Sequence, residues 1–513
     1  MKQITRSTLI IAFFFAIDKV LGFVRQLLVT REFKLSYQMD VFNAANNIPD
    51  LLSALISGGA LAVALIPVIA EFLQTRGKKE AWRLFSHVLN LAFIATGILA
   101  VVIYFLAPWM ISNIIVPGFP QEQKDLAVSL MRLDLIAIMI FSISGLIMAG
   151  LQANQHFLLP AAAPALYNIG QIFGVLILAP EQGLQIGSIT LPAFNLGIYG
   201  LVYGVILGAC LHLLIQIPGL IRYQFHWEPR IDLKSNDLRQ VLRLLGPRIL
   251  TMLFIQLYFI IRDALASGLG EGAVTALNLG WFIMQVPETL LGTAIAIALL
   301  PAISSDYATG KLEAYVSKIN MSIKAILMLT IPAAALLSLG VYPLVDFAFG
   351  LESEGTHQVV LAAQIYLAGM MGHALLEIAT RAFYAKKNPR IPLYAAALNA
   401  AGYFALSQLL TRWIGFPGIA LANIIVFSTE ALLLLIILNR QNPGVLVIKT
   451  VTVRILFATL VSVGLFLLLS LILRGYSPLI ASLAGMAIGM GTALFILRKD
   501  LTPFLRPDVK IFD

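Results

Sequence analysis

The chain has 513 residues, of which 59% are hydrophobic and only 12% are charged. Soluble globular chains are about 45–50% apolar and about 25% charged, so the composition excludes a soluble domain and indicates a polytopic membrane protein. The formal net charge of +9 would fit a nucleic-acid partner, but the distribution of the charges argues against one. A single cysteine, Cys210, excludes an internal disulfide.

In chain order, fourteen apolar segments are long enough to cross about 30 Å of hydrocarbon. The first follows a basic N-terminus without a small-residue cleavage site, so we interpret it as an uncleaved membrane helix. The predicted fold class is an all-α polytopic membrane protein with 14 transmembrane helices. The predicted spans are 7–30, 38–73, 84–115, 125–152, 158–180, 194–221, 238–268, 272–302, 315–349, 357–385, 391–411, 416–439, 450–473 and 477–497.

The basic residues are distributed unevenly between the loops on the two sides of these spans. With the N-terminus inside, 23 of the 35 lysines and arginines fall on cytoplasmic segments, five on the opposite side and seven within spans. Cytoplasmic loops of membrane proteins carry such an excess. We therefore predict that both termini are cytoplasmic, and the basic balance needs no nucleic-acid partner.

Two sequence blocks recur at nearly one spacing. Gly58–Pro67 (GGALAVALIP) matches Gly292–Pro301 (GTAIAIALLP), and both continue into Gly-Lys and then Glu-Ala-aromatic. Ala153–Pro160 matches Ala385–Pro392, and an asparagine follows each block about two helical turns later, at Asn168 and Asn399. An even number of spans per repeat gives both halves the same orientation, so we expect an axis along the membrane normal.

The repeat predicts two pseudo-symmetric six-helix lobes and a C-terminal helix pair. Two such lobes enclose a cavity, and rocking one on the other gives alternating access. A duplicated scaffold without transport is the alternative, and charges inside the spans weigh against it. The predicted domains are the N-lobe 1–222, a cytoplasmic linker 223–235, the C-lobe 236–440, and the helix pair with a cytoplasmic tail 441–513.

Three charged residues lie inside the first span. Asp18, Gly22 and Arg25 are spaced i, i+4, i+7 and share one helix face, with Lys19 one position round. A charge at mid-bilayer costs about 2.5–3.5 kcal/mol, so it usually faces a cavity or a partner. We predict a hydrated cavity in which Arg25 and Lys19 attract an anionic group. A structural ion pair of Arg25 with Asp18 or Asp40 is the alternative.

The second span adds a polar stripe. Asn43, Asn47 and Asp50 repeat at i, i+4, i+7, and Pro49 is expected to interrupt the helix there. The predicted polar residues of the cavity are Asp18, Asp40, Asn43, Asn47, Asp50 and Ser53.

The second half of the chain also carries charges within its spans. Arg248 and Arg262 are further candidate head-group ligands, although Arg262 can equally form a structural pair with Asp263. Arg381 lies near a helix end, where we expect its long side chain to reach the membrane interface.

No motif of an enzyme or a nucleotide site occurs: GxxxxGK[ST], HExxH and GxSxG are all absent, and the histidines lack metal-ligand spacing. We therefore expect no cofactor, and transport would use an ion gradient, the membrane potential or the substrate's own gradient. Sodium or a proton could bind Asp18, Asp40, Asp263 or Glu377, and the sequence does not choose among them.

Several short motifs, taken together, resemble the MurJ family of lipid II flippases, part of the multidrug/oligosaccharidyl-lipid/polysaccharide exporter superfamily. The resemblance covers essentially the whole chain, and the fourteen-helix count fits it. The motifs are Leu21–Arg25, Asp40–Phe42, Ile48–Leu52, Ile66–Val68 with Glu71, Leu159–Pro164 with Asn168, Gly246–Pro247, Leu300–Pro301, and Phe383–Ala385 followed by Pro392.

The resemblance implies a transporter in the bacterial cytoplasmic (inner) membrane that carries undecaprenyl-pyrophosphate-linked peptidoglycan precursor to the outer leaflet. Arg25 and Lys19 would then bind the pyrophosphate, and helices 450–473 and 477–497 would flank the lipid tail. Such a protein is expected to be a monomer whose partners are a lipid-linked anionic substrate and the bilayer.

This chain departs from the family pattern at several cationic positions. Lys19 stands where an arginine is usual, and a point-charge ammonium is not an equivalent ligand. Ser53 and Ala54 replace a basic pair, and Phe282 replaces an arginine in the eighth helix. Other readings therefore stay open: an exporter of another polyprenyl-linked or lipid substrate, an ion-coupled drug antiporter of the same superfamily, or a membrane scaffold.

Overall fold

A computed structural model describes residues 2–56, 60–232, 236–447 and 449–505. The chain forms two compact units that divide between Glu271 and Gly272. Long helices make up nearly all of both units, joined by short turns. The predicted all-helical membrane class is confirmed, apart from one short β-hairpin.

The first unit contains ten helices in its described residues. They are α1 (Lys2–Phe33), α2 (Tyr37–Ala45), α3 (Asn47–Ile56), α4 (Ala60–Thr75), α5 (Lys78–Met110), α6 (Gln121–Ala153), α7 (Leu158–Phe173), α8 (Ile198–Leu214), α9 (Ile217–Arg222) and α10 (Asn236–Ala266). Between α7 and α8, β1 (Gln185–Ile186) and β2 (Ile189–Thr190) pair antiparallel. Helices α5 and α7 end in π-helical turns, at Ile111–Ile115 and Gly174–Leu178.

The second unit contains eight helices in its described residues. They are α11 (Ala273–Glu288), α12 (Ala294–Ala308), α13 (Leu312–Phe349), α14 (Ser353–Ala385), α15 (Arg390–Ile414), α16 (Phe416–Gln441), α17 (Lys449–Ile472) and α18 (Pro478–Leu505). A π-helical turn, Thr289–Thr293, joins α11 to α12, and a short 3₁₀ turn, Leu473–Gly475, follows α17.

Eleven helical segments of the described chain are long and apolar enough to cross a membrane. They match eleven of the fourteen predicted spans, and the remaining three are 7–30, 38–73 and 238–268. Helices α1 and α10 also have the length to cross, at 32 and 31 residues. The count of fourteen therefore stays a prediction.

The predicted span 38–73 is divided in the structure. Helix α2 ends at Ala45, and Asn46 forms a turn before α3 begins at Asn47. The predicted break at Pro49 is thus displaced, because proline lacks an N–H and is tolerated in the first turn of a helix. Residues 57–59 lie outside the described residues.

Local geometry recurs in the two units at positions that the sequence repeat pairs. Gln155 and Lys387, which are not glycines, both adopt positive φ, at 58° and 54°. Gly77 and Gly310 likewise have φ of 85° and 74°. These turns end corresponding helices, so the backbone supports the repeat.

An asparagine anchors a loop in each half of the repeat. Asn90 of α5 donates to the carbonyls of Glu228 and Arg230, at 2.6 and 3.0 Å. Asn320 of α13 donates to the carbonyls of Val445 and Val447, at 2.8 and 3.3 Å. In each half of the predicted repeat, the segment that follows the sixth predicted span is therefore hydrogen-bonded to the third predicted span, which is α5 in the first half and α13 in the second. The predicted lobe boundaries remain a prediction, and the compact units group α10 with the first unit.

Glycines allow α7 and α8 to pack at backbone contact. A Cβ at Gly174 would stand 2.7 Å from the Cα of Gly204, and one at Gly170 would overlap the Cα of Gly208. Real Cβ atoms do not approach so closely, so these positions need glycine. The pair Gly204 and Gly208 is thus a helix-packing feature, as expected for small residues four apart.

Candidate functional site: a charged cluster on α1, α3 and α6

The polar face of α1 packs against α7. The Nδ2 of Asn168 donates to Asp18 Oδ1 at 2.9 Å, and Asn168 is 5% exposed. The space beside Gly22 is filled by the same asparagine side chain. Asp18 and Gly22 therefore share the face that the spacing predicts, and Asp18 is bonded to an amide rather than to Arg25.

Lys19 points away from that bond. Its side chain is exposed, and its Nζ lies 5.1 Å from the centre of the Phe15 ring. A cation over an aromatic face is stabilised by the ring quadrupole. Lys19 as a head-group ligand stays a prediction.

Arg25 lies in an electrostatic cluster with residues of three other helices. Its guanidinium acts on Asp50 of α3 and on Tyr167 of α7, and Asp50 in turn acts on Asp134 of α6. Arg25 is half-buried and Asp50 is exposed to solvent. The cation therefore acts directly on one carboxyl group, Asp50, and a second and buried carboxyl group, Asp134, lies within the electrostatic reach of Asp50.

Asp134 was missed by the sequence analysis. It is 5% exposed and lies in the middle of α6 among apolar residues. The signal was present in the sequence, because an acidic residue inside an apolar span indicates function. It lies within the predicted span 125–152, which also contains Arg132.

The predicted stripe of Asn43, Asn47 and Asp50 is divided between two helices. The turn at Asn46 separates Asn43 on α2 from the other two on α3, although Asn46 keeps right-handed helical backbone angles. Asn47 is buried, whereas Asp50 is exposed and Asn43 is half-buried. The three residues thus differ in exposure, and their sharing of one cavity face stays a prediction.

Two other predicted cavity residues, Asp40 and Ser53, also differ in burial. Asp40 is 1% exposed and lies in the first turn of α2, where a negative charge is favoured by the helix dipole. Ser53 of α3 is half-buried. Asp40 thus has a buried position, and Ser53 can still line a cavity.

Arg262 and Asp263 form a buried pair on α10. The Nε of Arg262 donates to Asp263 Oδ1 at 2.8 Å, and the side chains are 6% and 1% exposed. The Nδ2 of Asn47 donates to the other oxygen, Oδ2, at 2.8 Å. In this arrangement the guanidinium neutralises Asp263, which favours the structural alternative, and a head-group role for Arg262 stays a prediction.

The segment that follows α10 contacts other parts of the first unit at two more points. The backbone N–H of Gly118 donates to Ser267 Oγ at 3.0 Å, and a Cβ at Gly118 would stand 2.6 Å from Gly268 Cα. The N–H of Tyr37 donates to Glu271 Oε1 at 2.8 Å. This end of α10 is therefore closed against α2, α3 and the loop after α5.

The side chain of Arg248 lies outside the described residues, so its predicted role stays a prediction. In the second unit, Arg381 is paired with Glu377 and acts on Glu288. Glu288 accepts from Thr293 Oγ1 at 3.2 Å across the π-helical turn. A carboxylate one turn away thus holds the guanidinium of Arg381, and the expected reach of its side chain to the interface stays a prediction.

Metal binding has no support in the described chain: no group of three or more His, Cys, Asp or Glu there is arranged to hold a metal ion. The chemistry that the cluster offers is therefore electrostatic. Arg25 can attract an anion, and the carboxyl groups beside it set how strongly.

Comparison with known proteins identifies the group to which this chain is related. The family model described as "Lipid II flippase MurJ" matches residues 32–486. The chain belongs to the MurJ family. This confirms the family recognised from the motifs, and with it the membrane-embedded class of the protein.

Individual MurJ relatives are similar over most of their length. The "Lipid II flippase MurJ" of Burkholderia cenocepacia is 28% identical over 450 residues, covering 85% of this chain and 84% of that protein. The "Probable lipid II flippase MurJ" of Rhizobium tropici is also 28% identical, covering 83% and 79%.

Solved structures show the same fold. A structure of "Lipid II flippase MurJ, inward closed conformation" has a TM-score of 0.80 at 21% identity, covering 97% of this chain and all of that one. An inward-facing multidrug resistance MATE family transporter of the MOP superfamily has a TM-score of 0.69 at 16% identity, covering 85% and 94%. The MurJ fold is thus the better match of the two.

Proposed function

We propose that this protein flips lipid II, the undecaprenyl-pyrophosphate-linked peptidoglycan precursor, from the cytoplasmic to the outer leaflet of the inner membrane. The observation that carries the proposal is the match of the lipid II flippase family model to residues 32–486. Such a protein is a transporter and catalyses no covalent change.

The charge at Arg25 suits the head group of that substrate. A diphosphate carries several negative charges, and a guanidinium can donate two parallel hydrogen bonds to it. Arg25 is half-buried beside a solvent-exposed carboxylate, Asp50, so a ligand can reach it. We propose Arg25 as the principal ligand of the pyrophosphate, with Lys19, Arg248 and Arg262 as candidates that other conformations bring into play.

The membrane topology belongs to the same proposal. Fourteen spans place both termini in the cytoplasm, and the lobes 1–222 and 236–440 provide alternating access. Helices α17 and α18 pack closely, since a Cβ at Gly485 would stand 2.7 Å from the Phe466 ring. They would flank the lipid tail as a preformed pair.

The energy source follows from the charge of the substrate. Moving an anion outward from a negative cytoplasm gains about 2.3 kcal/mol per charge per 100 mV. The membrane potential can therefore contribute to export, alone or with sodium or a proton. We propose a monomer with the lipid-linked substrate and the bilayer as partners, and no nucleic acid.

Complementation tests the proposal. A bacterium depleted of its own lipid II flippase should grow when it expresses the wild-type chain and lyse when it expresses Arg25→Ala at the same level. Arg31→Ala is the matched control, because Arg31 lies on the same helix but is exposed near its end. Equal growth with both variants would overturn the role of Arg25, and failure of the wild type would overturn the flippase.

Two alternatives to lipid II flipping are drug antiport, which the likeness to a MATE transporter suggests, and export of another polyprenyl-linked lipid. This likeness concerns the fold alone. In vesicles, a lipid II flippase should make fluorescent lipid II accessible on the opposite leaflet without a drug gradient. Drug extrusion without lipid II movement would favour the antiporter. Movement of other polyprenyl diphosphates without lipid II would favour the exporter of another polyprenyl-linked lipid.

A further inference from the structure

Asp134 has an unusual environment for a carboxyl group. It is 5% exposed, and its neighbours one turn away on α6, Leu130 and Ile138, are 1% and 4% exposed. Within the described residues, its Oδ1 is buried and has no hydrogen-bond donor. A carboxylate oxygen that is ionised and lacks a donor in such a place is costly.

The face of α6 that carries Asp134 is closed by aromatic packing. Ala137 and Phe141 continue this face at i+3 and i+7. They pack with Phe42 of α2 and Tyr167 of α7, and the Phe141 and Tyr167 ring centres are 5.1 Å apart. Asp134 therefore lies at the edge of an apolar layer, on the side of the Arg25 cluster.

The charged and titratable groups around Asp134 come from the helices packed beside it. Asp50 of α3 acts on Asp134 directly, and Tyr167 of α7 interacts with Asp134, Asp50 and Arg25 of α1. His212 of α8 packs on Phe141, two turns further along α6.

Two other charged residues, Arg132 and Asp40, lie on α6 itself and on a helix packed beside it. Arg132 turns to the opposite face of α6, where its Nε donates to the Tyr104 carbonyl at 3.0 Å. Asp40 of α2 is buried in the first turn of its own helix. Among the side chains that the structure describes, Arg25 is the cation that acts on Asp50, and Asp50 links it to Asp134.

We propose that Asp134 binds a proton and that this proton is coupled to the binding of a phosphate or diphosphate group at Arg25. The inference rests on the proposed function, because it deepens the head-group site. With both carboxyls ionised, the set of Arg25, Asp50 and Asp134 has a net charge of −1 and repels an anion. Protonation of Asp134 brings the set to zero, and protonation of Asp50 as well brings it to +1.

Coupling must then be reciprocal. An anion at Arg25 raises the affinity of the carboxyls for protons, and protonation raises the affinity for the anion. Removing negative charge beside Arg25 achieves part of what an added arginine would do.

Infrared difference spectroscopy on the purified full chain tests the proton directly. The wild type should show the carbonyl stretch of a protonated carboxyl at neutral pH, and Asp134→Asn should lack that component. Asp125→Asn is the matched control: Asp125 lies on the same helix, exposed, and accepts from Gln121 at 2.8 Å. Asp134→Glu keeps a carboxyl and should keep the band, which separates loss of the proton from loss of the fold.

Coupling is tested by adding farnesyl diphosphate to the same proteins in weak buffer. The wild type and Asp125→Asn should take up protons on binding, and the midpoint for proton release should rise by about one pH unit, a tenfold change in affinity. Asp134→Asn should bind with much smaller uptake and a flatter pH dependence. Identical wild-type and Asp134→Asn spectra, no binding, or equal proton uptake would each overturn the inference. Growth of the flippase-depleted strain judges the proposed function separately.

Discussion

Asn47 of α3 donates its amide to Asp263 of α10 at 2.8 Å, although the two residues are 216 positions apart in the chain. The donor is buried, and the acceptor is fully buried and also binds Arg262. One polar bond thus completes the pairing of a charged couple inside α10. The cost of burying Asp263 is met by partners on two helices.

Replacing Asn47 by alanine should destabilise the first unit. Asp263 Oδ2 would lose its donor, and an unsatisfied buried acceptor costs about 1–3 kcal/mol. Thermal unfolding in detergent should show a clear drop in midpoint. Asn113→Ala is the control, since Asn113 is exposed and bonds only within its own helix, to the Trp109 carbonyl at 2.8 Å. Equal midpoints for the two variants would contradict a structural role for the Asn47 bond.

Linking the end of α10 to α2 should block transport. Tyr37 and Glu271 meet through a 2.8 Å bond, and alternating access requires this end to open at some stage. In a Cys210→Ala background, the pair Tyr37→Cys and Glu271→Cys treated with a short bifunctional thiol reagent should stop lipid II movement in vesicles, and reduction should restore it. Each single cysteine variant serves as the control. Full transport in the linked protein would show that this contact stays closed throughout.

Acid should weaken the fold partly through His156, in the turn between α6 and α7. Burial, and then the charge of Arg222, lower the pKa of His156 below its usual 6.5. The fold therefore favours the neutral ring, and stability falls as pH drops below the unfolded pKa of about 6.5. His156→Gln should lose less thermal stability than the wild type between about pH 7 and pH 5. His226→Gln, at an exposed position, should follow the wild type; a His156→Gln curve parallel to the wild type would count against this cause.

A methyl group at Gly170 should disrupt the packing of α7 on α8. The added carbon would overlap the backbone of Gly208, and overpacking costs about 1–3 kcal/mol. The unfolding midpoint of Gly170→Ala should fall. Gly464→Ala on α17 has no atom within 4 Å of the new carbon and should leave the midpoint unchanged or slightly raised. A Gly170→Ala protein as stable as Gly464→Ala would refute the close approach.

The sequence predicted the helical class and the family because both depend on long-range averages. Hydropathy sums over some twenty residues, and the motif set spans the chain, so single errors matter little. The repeat was equally evident in the sequence, and the positive φ angles shared by Gln155 and Lys387 support it.

Residue roles were harder to predict, because they depend on helix breaks and partners that spacing does not encode. The turn at Asn46 divides the predicted stripe between two helices, and Asn47 binds Asp263 of a distant helix. Arg381 pairs with a carboxylate one turn away on its own helix. The electrostatic environment of Asp134 depends on Asp50, which lies on a different helix and is not related to it by sequence spacing.

The bond between Asn47 and Asp263 also has a consequence for biogenesis. At about 5–20 residues per second, Asn47 leaves the ribosome about 10–40 s before Asp263. Helix α10 carries charged residues into the bilayer, Arg262 and Asp263 among them, and each costs about 2.5–3.5 kcal/mol at its centre. The amide that offsets part of this cost is therefore already in the membrane when α10 arrives. Insertion of α10 depends on the earlier helices as a template, and a chain that lacks α3 should leave α10 at the membrane surface.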